Sequence, residues 1–250
     1  MGIRFINIEC RLNMEKPILK DISIEIEKGS IYGIIGKKGS GKSSLLDVIV
    51  KKKPITKGKL ILNTKNIGYA SNKDIFLMDT INKELGNFNK SLKLKVLNMV
   101  GLNKYYLNLN PNDLSLSEKR LISLAKALII KSNILLLDDI TCGLDELNKK
   151  KLIRLLKELN KKYNITILVA SNDVNFINLV VTHLILLDYG KIVLKGTKEE
   201  ILNRDAILSK RGIKLPDIIE FTNKVEDNKK IKLGIYDDVK DLIKAVYRNV

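Results

Sequence analysis

The stretch "ILLLDDITCGLD", Ile134 to Asp145, runs four apolar residues into two adjacent carboxylates, Asp138 and Asp139. An apolar run of this length bounded by polar residues reads as a buried strand, and open α/β sheets place their chemistry at the C-terminal ends of such strands. One carboxylate there can hold a metal and the second can activate water. Whether the chain breaks a bond or only holds the molecule containing it depends on what else reaches that sheet edge.

A second strand-like run, "IYGII" at 31–35, leads into "GKKGSGKSS", Gly36 to Ser44, and then into the helical "SLLDVIVKK". Strand, G-x-x-x-x-G-K-[ST] and helix in that order make a phosphate-binding loop. Gly36, Gly39 and Gly41 let the backbone approach phosphates closely. The amides of Lys37, Lys38, Ser40 and Ser44 complete a concave anion site at a helix N-terminus. Lys42 reaches the β- and γ-phosphates, and the Ser43 hydroxyl ligates Mg²⁺. A surface turn that happens to carry glycine and lysine is the plain alternative, and the flanking strand and helix argue against it. The expected cofactors are ATP and Mg²⁺, with Asp138 as a second metal residue.

The longer block "LSLSEKRLISLAKALIIKSNILLLDDITCGLD", Leu114 to Asp145, resembles the signature-to-Walker-B block of ATP-binding cassette (ABC) ATPases. In that family a Leu-Ser-Gly-Gly-Gln motif opens a helix that leads to the Walker B strand, a Glu and a Gly-Leu-Asp turn. The resemblance implies that Leu114-Ser115-Leu116-Ser117-Glu118 is the signature and Gly143-Leu144-Asp145 the D-loop. It also implies that two such domains dimerise head to tail. Each ATP would then lie between the P-loop of one and Ser115, Ser117 and Asp145 of the other, with the signature helix N-terminus facing the γ-phosphate. The segments "MGIRFINIEC…ILKDISIEIEKGSIYGIIG" and "KEEILNRDAILSKRGIKLPDIIEFTNKV" look like the ATPases of energy-coupling factor (ECF) transporters, which take up vitamins and transition-metal ions. That likeness implies three partners: a second ATPase subunit, a transmembrane coupling protein and a substrate-binding membrane subunit. It places the chain peripherally on the cytoplasmic face of the cell membrane.

Against the family pattern, the accessory catalytic positions are changed. The Glu after the Walker B Asp is Asp139. The Q-loop Gln, which also serves the metal, falls at Asn72, and the switch His falls at Asn172. The signature has Leu116 and Ser117 for two glycines and Glu118 for Gln. The adenine-stacking aromatic expected near residues 10–12 is Cys10 or Leu12. Each catalytic change keeps a polar group but shortens its reach or removes its charge. General-base contributions run to roughly 10²–10⁴ in rate, about 3–5 kcal/mol, and depend on hydrogen-bond reach. The expectation is a site that binds MgATP and turns it over slowly or not at all. Because catalytic and signature changes sit in one chain, the expected assembly is a heterodimer whose other subunit carries the main hydrolytic site.

The rest of the chain fits this frame. Strand patterns fall at 3–9, 22–27, 31–35, 58–62, 66–69, 133–138, 165–170, 183–188 and 191–195. Helical patterns fall at 42–51, 80–100 with a break, 116–131, 145–162, 173–180 and 197–209. This interleaving predicts an α/β fold with a mainly parallel core sheet and an antiparallel β flank. The P-loop and the cassette resemblance imply the P-loop NTPase class with a RecA-like core. A helical subdomain at about 72–131 is inserted within a domain spanning 1–210, and a small C-terminal extension, 211–250, would support a dimer. The Lys-rich "NKKKLIRLLKELNKK" reads as a solvated helix with an apolar stripe.

Length and composition set outer bounds. The 250 residues, 45% hydrophobic and 29% charged, suffice for one large core with a soluble surface. No stretch reads as a signal peptide or a membrane span. Two cysteines, Cys10 and Cys142, make no disulfide framework or metal spacing. The net charge of +17 is mostly dispersed Lys with only 5% aromatics, without the aromatic–basic interleaving that stacks bases, so no nucleic-acid partner is expected. An anionic lipid surface suits that charge at least as well. The competing reading is a non-transport cassette protein acting on nucleic acid or ribosomes, or a pseudo-ATPase scaffold.

Overall fold

The computed structural model describes residues 2–12, 16–229, 233, 234, 236 and 239–249. Among these residues nine strands form two sheets. β1 (Ile3–Leu12), β2 (Lys16–Ile26) and β4 (Lys57–Leu62) make an antiparallel flank in the order β2-β1-β4. The second sheet has the order β5-β6-β7-β3-β8-β9, with β3 (Ile31–Ile35), β5 (Ile67–Ser71), β6 (Ile134–Asp138), β7 (Thr166–Ala170), β8 (His183–Asp188) and β9 (Lys191–Thr197). Its first five strands are parallel and only the edge strand β9 runs antiparallel. The expected core sheet and flank are therefore both present.

Hydrophobic alternation explains why this sheet lies in the middle. In β6, Leu135 and Leu137 pack into one core, with Ile134 and Leu136 in the other. In β7, Ile167 and Val169 separate from Leu168 and Ala170 in the same way. A strand that puts apolar side chains on both faces is stable only when both faces are covered. One cover is α1 (Lys42–Ile49) with the antiparallel flank. The other comprises α4 (Leu116–Ile129), α5 (Glu146–Tyr163) and α6 (Val174–Val180).

The crossover between adjacent strands β5 and β6 is helical: α2 (Ile81–Glu84), α3 (Lys90–Met99), two 3₁₀ turns at Lys104–Asn108 and Pro111–Asp113, and α4. The break expected within 80–100 falls at Leu85–Asn89, where Gly86 has φ +80°. The helix expected over 197–209 is two: α7 (Lys198–Leu202), capped by Thr197, and α8 (Asp205–Lys210), parted at Asn203–Arg204. In α5 the apolar stripe is Leu152, Leu156 and Leu159, and its lysines are exposed as expected apart from Lys149, which pairs with Asp173 at 2.8 Å. After Gly212 come α9 (Asp217–Lys229) and α10 (Val239–Asn249). Leu215 and Ile219 enter the main core, and Asp217 exchanges hydrogen bonds with Asn175 of α6.

Candidate functional site

Strand register assembles the site. Ser71, Asp138 and Ala170 are direct partners across β5, β6 and β7, and Ile34 of β3 pairs with Ala170. The residues that follow each strand therefore emerge at one sheet edge: Asn72 directly after β5, Asp139 directly after β6, Asn172 two residues after the end of β7 and the P-loop after β3. The ladder continues past the strand ends, with Asn72 N–H donating to the Asp138 carbonyl at 3.0 Å and Asp139 N–H to that of Ala170 at 2.8 Å. This is where an open parallel sheet binds ligands.

The P-loop turns through residues that a side chain could not easily replace. Gly36 has φ +154°, and a Cβ there would meet the Leu187 carbonyl at 2.3 Å. Gly41, at φ +110°, starts α1, whose first backbone bond is Leu45 N–H to Gly41 O. The amides of Lys42, Ser43 and Ser44 thus have no intrahelical acceptor and form the anion site. The Lys42 ammonium donates to the carbonyls of Gly36 at 2.5 Å and Lys37 at 3.1 Å, and to Asn172 Oδ1 at 3.0 Å. Burial pulls its pKa below the ordinary lysine value, while the charges of Asp139 and Asp138 act the other way. With Oδ1 of Asn172 on Lys42, Nδ2 is the amide branch available to donate.

Asp138 is buried, and its Oδ1 accepts from the Ser43 hydroxyl at 2.9 Å. Burial raises its pKa above the ordinary carboxylate range, and the Ser43 hydrogen bond opposes the rise. Asp139 sits at φ +52°, and its Oδ2 accepts from Asn72 Nδ2 at 3.1 Å. The other branch of that amide, Asn72 Oδ1, is buried without a hydrogen-bond partner among the described residues. An unpartnered amide oxygen on Asn72, whose backbone N–H donates to the Asp138 carbonyl, adds a hard-oxygen donor to the Ser43 hydroxyl and the Asp138 carboxylate, residue types that suit Mg²⁺ with phosphate oxygens and water completing its shell. The donor chemistry of Ser43, Asp138 and Asn72 is compatible with Mg²⁺.

A neighbouring cluster was not anticipated. The Tyr69 hydroxyl lies 3.1 Å from Asp47 Oδ1 and 3.4 Å from Asp138 Oδ2, and Lys53 pairs with Asp47 at 3.7 Å. Burial raises the Tyr69 pKa, so the phenol stays protonated and donates. One signal was available, since Asp47 lies four residues after Ser43 and hence on the same helical face.

The signature residues form a separate group. Ser115 caps α4, and a reciprocal box joins it to Glu118: Glu118 Oε2 accepts from Ser115 N–H at 2.8 Å and from its hydroxyl at 2.6 Å. The pattern S-x-x-E is a capping-box signature readable in the sequence. The hydrogen bond from the Ser115 hydroxyl, with a second from Tyr106 at 2.6 Å, holds the Glu118 carboxyl below its ordinary pKa. Asp145 caps α5, and Asn148 Nδ2 reaches both Asp145 Oδ2 at 3.0 Å and Ser117 Oγ at 3.5 Å. Leu116 is 63% exposed beside Gly143 of the D-loop. Among the described residues no hydrogen bond joins Ser115, Ser117 or Asp145 to the P-loop.

Two remaining residues lie apart from the chemistry. His183, at the start of β8, stacks on Tyr32 with ring centroids 4.7 Å apart. Cys10 is buried and offers no exposed platform for adenine, while the side chain of Leu12 lies outside the described residues.

A family model described as ABC transporter matches residues 19–142. The energy-coupling factor transporter ATP-binding protein EcfA3 of Oenococcus oeni is 30% identical, covering 90% of this chain and 89% of its own. EcfA2 of Enterococcus faecalis is 27% identical over the same shares. The methionine import ATP-binding protein MetN of Clostridioides difficile is 30% identical, over 75% of this chain and 66% of its own. Among solved structures, cbiO1 from Clostridium perfringens, described as part of the ABC transporter complex cbiONQ, superposes with TM-score 0.71. It is 18% identical, over 92% of this chain and 98% of its own. A dimeric ATP-binding cassette bound to ADP and Pi, MJ0796, gives TM-score 0.71 at 24% identity, over 78% and 98%. Both share the fold described above.

Proposed function

The chain belongs to the ATP-binding cassette family of transport ATPases, and from that premise we propose that it is the ATP-binding subunit of an ECF-type importer for a vitamin or metal ion. The Ser43 hydroxyl on the Asp138 carboxylate at the end of the P-loop, with the unpartnered Asn72 Oδ1 on the residue bonded to the Asp138 carbonyl, is the observation that carries MgATP binding. Lys42 and the amides of Gly36 to Ser44 hold the phosphates. Ser43, Asp138 and Asn72 hold Mg²⁺, which when bound neutralises phosphate charge. Asp139 is the general base for the attacking water, and Asn172 replaces the switch cation with a neutral amide, so hydrolysis in this site is slow.

The signature group, which makes no bond to its own P-loop, serves the ATP of a partner ATPase in a heterodimer. Ser115 must release its hydroxyl from Glu118 to donate to that γ-phosphate. The exposed Ile75, Leu77 and Met78, beside the Asp79–Lys83 pair, form the apolar face on which the transmembrane coupling protein docks. That protein and the substrate-binding subunit hold the chain on the cytoplasmic face of the membrane. No helix among the described residues is long and apolar enough to cross it. Residues 211–250 act as a dimer-supporting extension of the ATPase domain, 1–210.

Affinity isolation of the tagged chain from gently solubilised membranes tests this assignment. The expected result is co-isolation of a polytopic membrane protein and a second cassette ATPase. Co-sedimentation with ribosomes or DNA, without membrane partners, would contradict it.

A further inference from the structure

We infer that Lys53 is a nucleotide-binding residue, acting on the α-phosphate through the hydroxyl of Ser44; the inference rests on the MgATP reading above. At the end of α1 the chain doubles back, with the amides of Lys52 and Lys53 both donating to the Asp47 carbonyl at 2.8 and 3.4 Å. The Lys53 side chain therefore runs back along the helix toward its first turn. Its ammonium comes to 2.6 Å from Ser44 Oγ and 3.7 Å from Asp47 Oδ2.

An ammonium has donors and no acceptor, so in this bond Ser44 accepts. Its single hydroxyl proton is left to donate outward, from a buried side chain in the turn whose free amides already face phosphate. Lys42 serves the β- and γ-phosphates and Ser43 the metal, which leaves the α-phosphate for Ser44. The cation also borders the position where an aromatic ring would stack on adenine. Burial pushes the Cys10 thiol up there, while the charge of Lys53 lowers it and that of Asp47 raises it. A site without a stacking ring thus relies on charge held at the α-phosphate.

The competing role is structural, with Lys53 only neutralising Asp47. Titration of the full chain with MgATP and with MgADP separates the two. Lys53→Met should weaken both nucleotides equally, by about tenfold, the loss of one charge-assisted hydrogen bond. Lys53→Arg should restore most of the affinity, and the loss should persist when Lys53→Met is placed in an Asp47→Asn background. Unchanged affinity in Lys53→Met, or a loss that disappears in that background, would overturn the inference. If the unchanged chain bound neither nucleotide, the MgATP reading itself would fall and this inference with it. That outcome differs visibly from a defect confined to the variant.

Discussion

Asp139 reaches one methylene less far than Glu from the same backbone position, and it is already engaged by Asn72 at 3.1 Å. Hydrogen-bond reach governs a general base. Asp139→Glu should therefore raise the single-turnover rate by at least about tenfold, whereas Asp139→Asn should abolish any residual cleavage without loss of MgATP affinity. Rapid-quench measurement of both variants checks this. Asp138 makes a pH-dependent prediction. Its pKa is raised on folding, chiefly by burial. Its contribution to stability is thus fully present below the ordinary carboxylate range and is lost as pH rises through the folded value. Without nucleotide, Asp138→Asn should be more stable than the unchanged chain at neutral pH, and the difference should close on acidification. Affinity for MgATP should run the other way, falling as acid protonates Asp138 and being weak in Asp138→Asn at every pH. Thermal midpoints against pH, with and without MgATP, check both signs. Lys42, Ser43 and Asp138 were legible because a motif fixes their spacing. Tyr69, Asp47 and Lys53 were not, because they meet only when α1 packs over the sheet and the chain doubles back at residue 52.

Among the elements, β6 was the easiest to read: an uninterrupted apolar run ending in a carboxylate admits few placements. Strand boundaries mattered more than strand existence, since the alignment of Ser71, Asp138 and Ala170 brings Asn72, Asp139 and Asn172 to one edge. The flank was harder, because β1 and β2 bulge. Their register shifts between Phe5 and Ile8, at Asn7, and again between Ile8 and Cys10, opposite Asp21; both residues have positive φ and share a 2.7 Å hydrogen bond. The split of the helix at Asn203–Arg204 was likewise hidden in an apolar pattern that continues across it. The capping box on α4 was readable and has two roles. Ser115→Ala should cost about 1 kcal/mol as a lost N-cap, lowering the thermal midpoint by roughly 2–4 °C. It should also reduce ATP turnover in the partner's site while leaving MgATP affinity of the isolated chain unchanged. Calorimetry of the chain and turnover by the heterodimer measure the two effects separately.

On the function proposed above, the molecule as a whole presents half of each of two sites. The P-loop edge holds nucleotide but is served by shortened or uncharged catalytic groups. The signature edge carries a bulky exposed Leu116 and a serine committed to its own Glu118. The P-loop NTPase fold was legible because two catalytic strands, a Gly-rich loop and an apolar alternation agree. The proposed division of labour between subunits rests only on substitutions against a pattern. It turns on single-turnover ATP hydrolysis by the purified chain, with MgATP binding measured in the same sample. Tight binding with slow cleavage or none is expected, placing the hydrolytic engine in the partner. Rapid, cooperative turnover by the chain alone would contradict it and make a homodimeric motor the correct description.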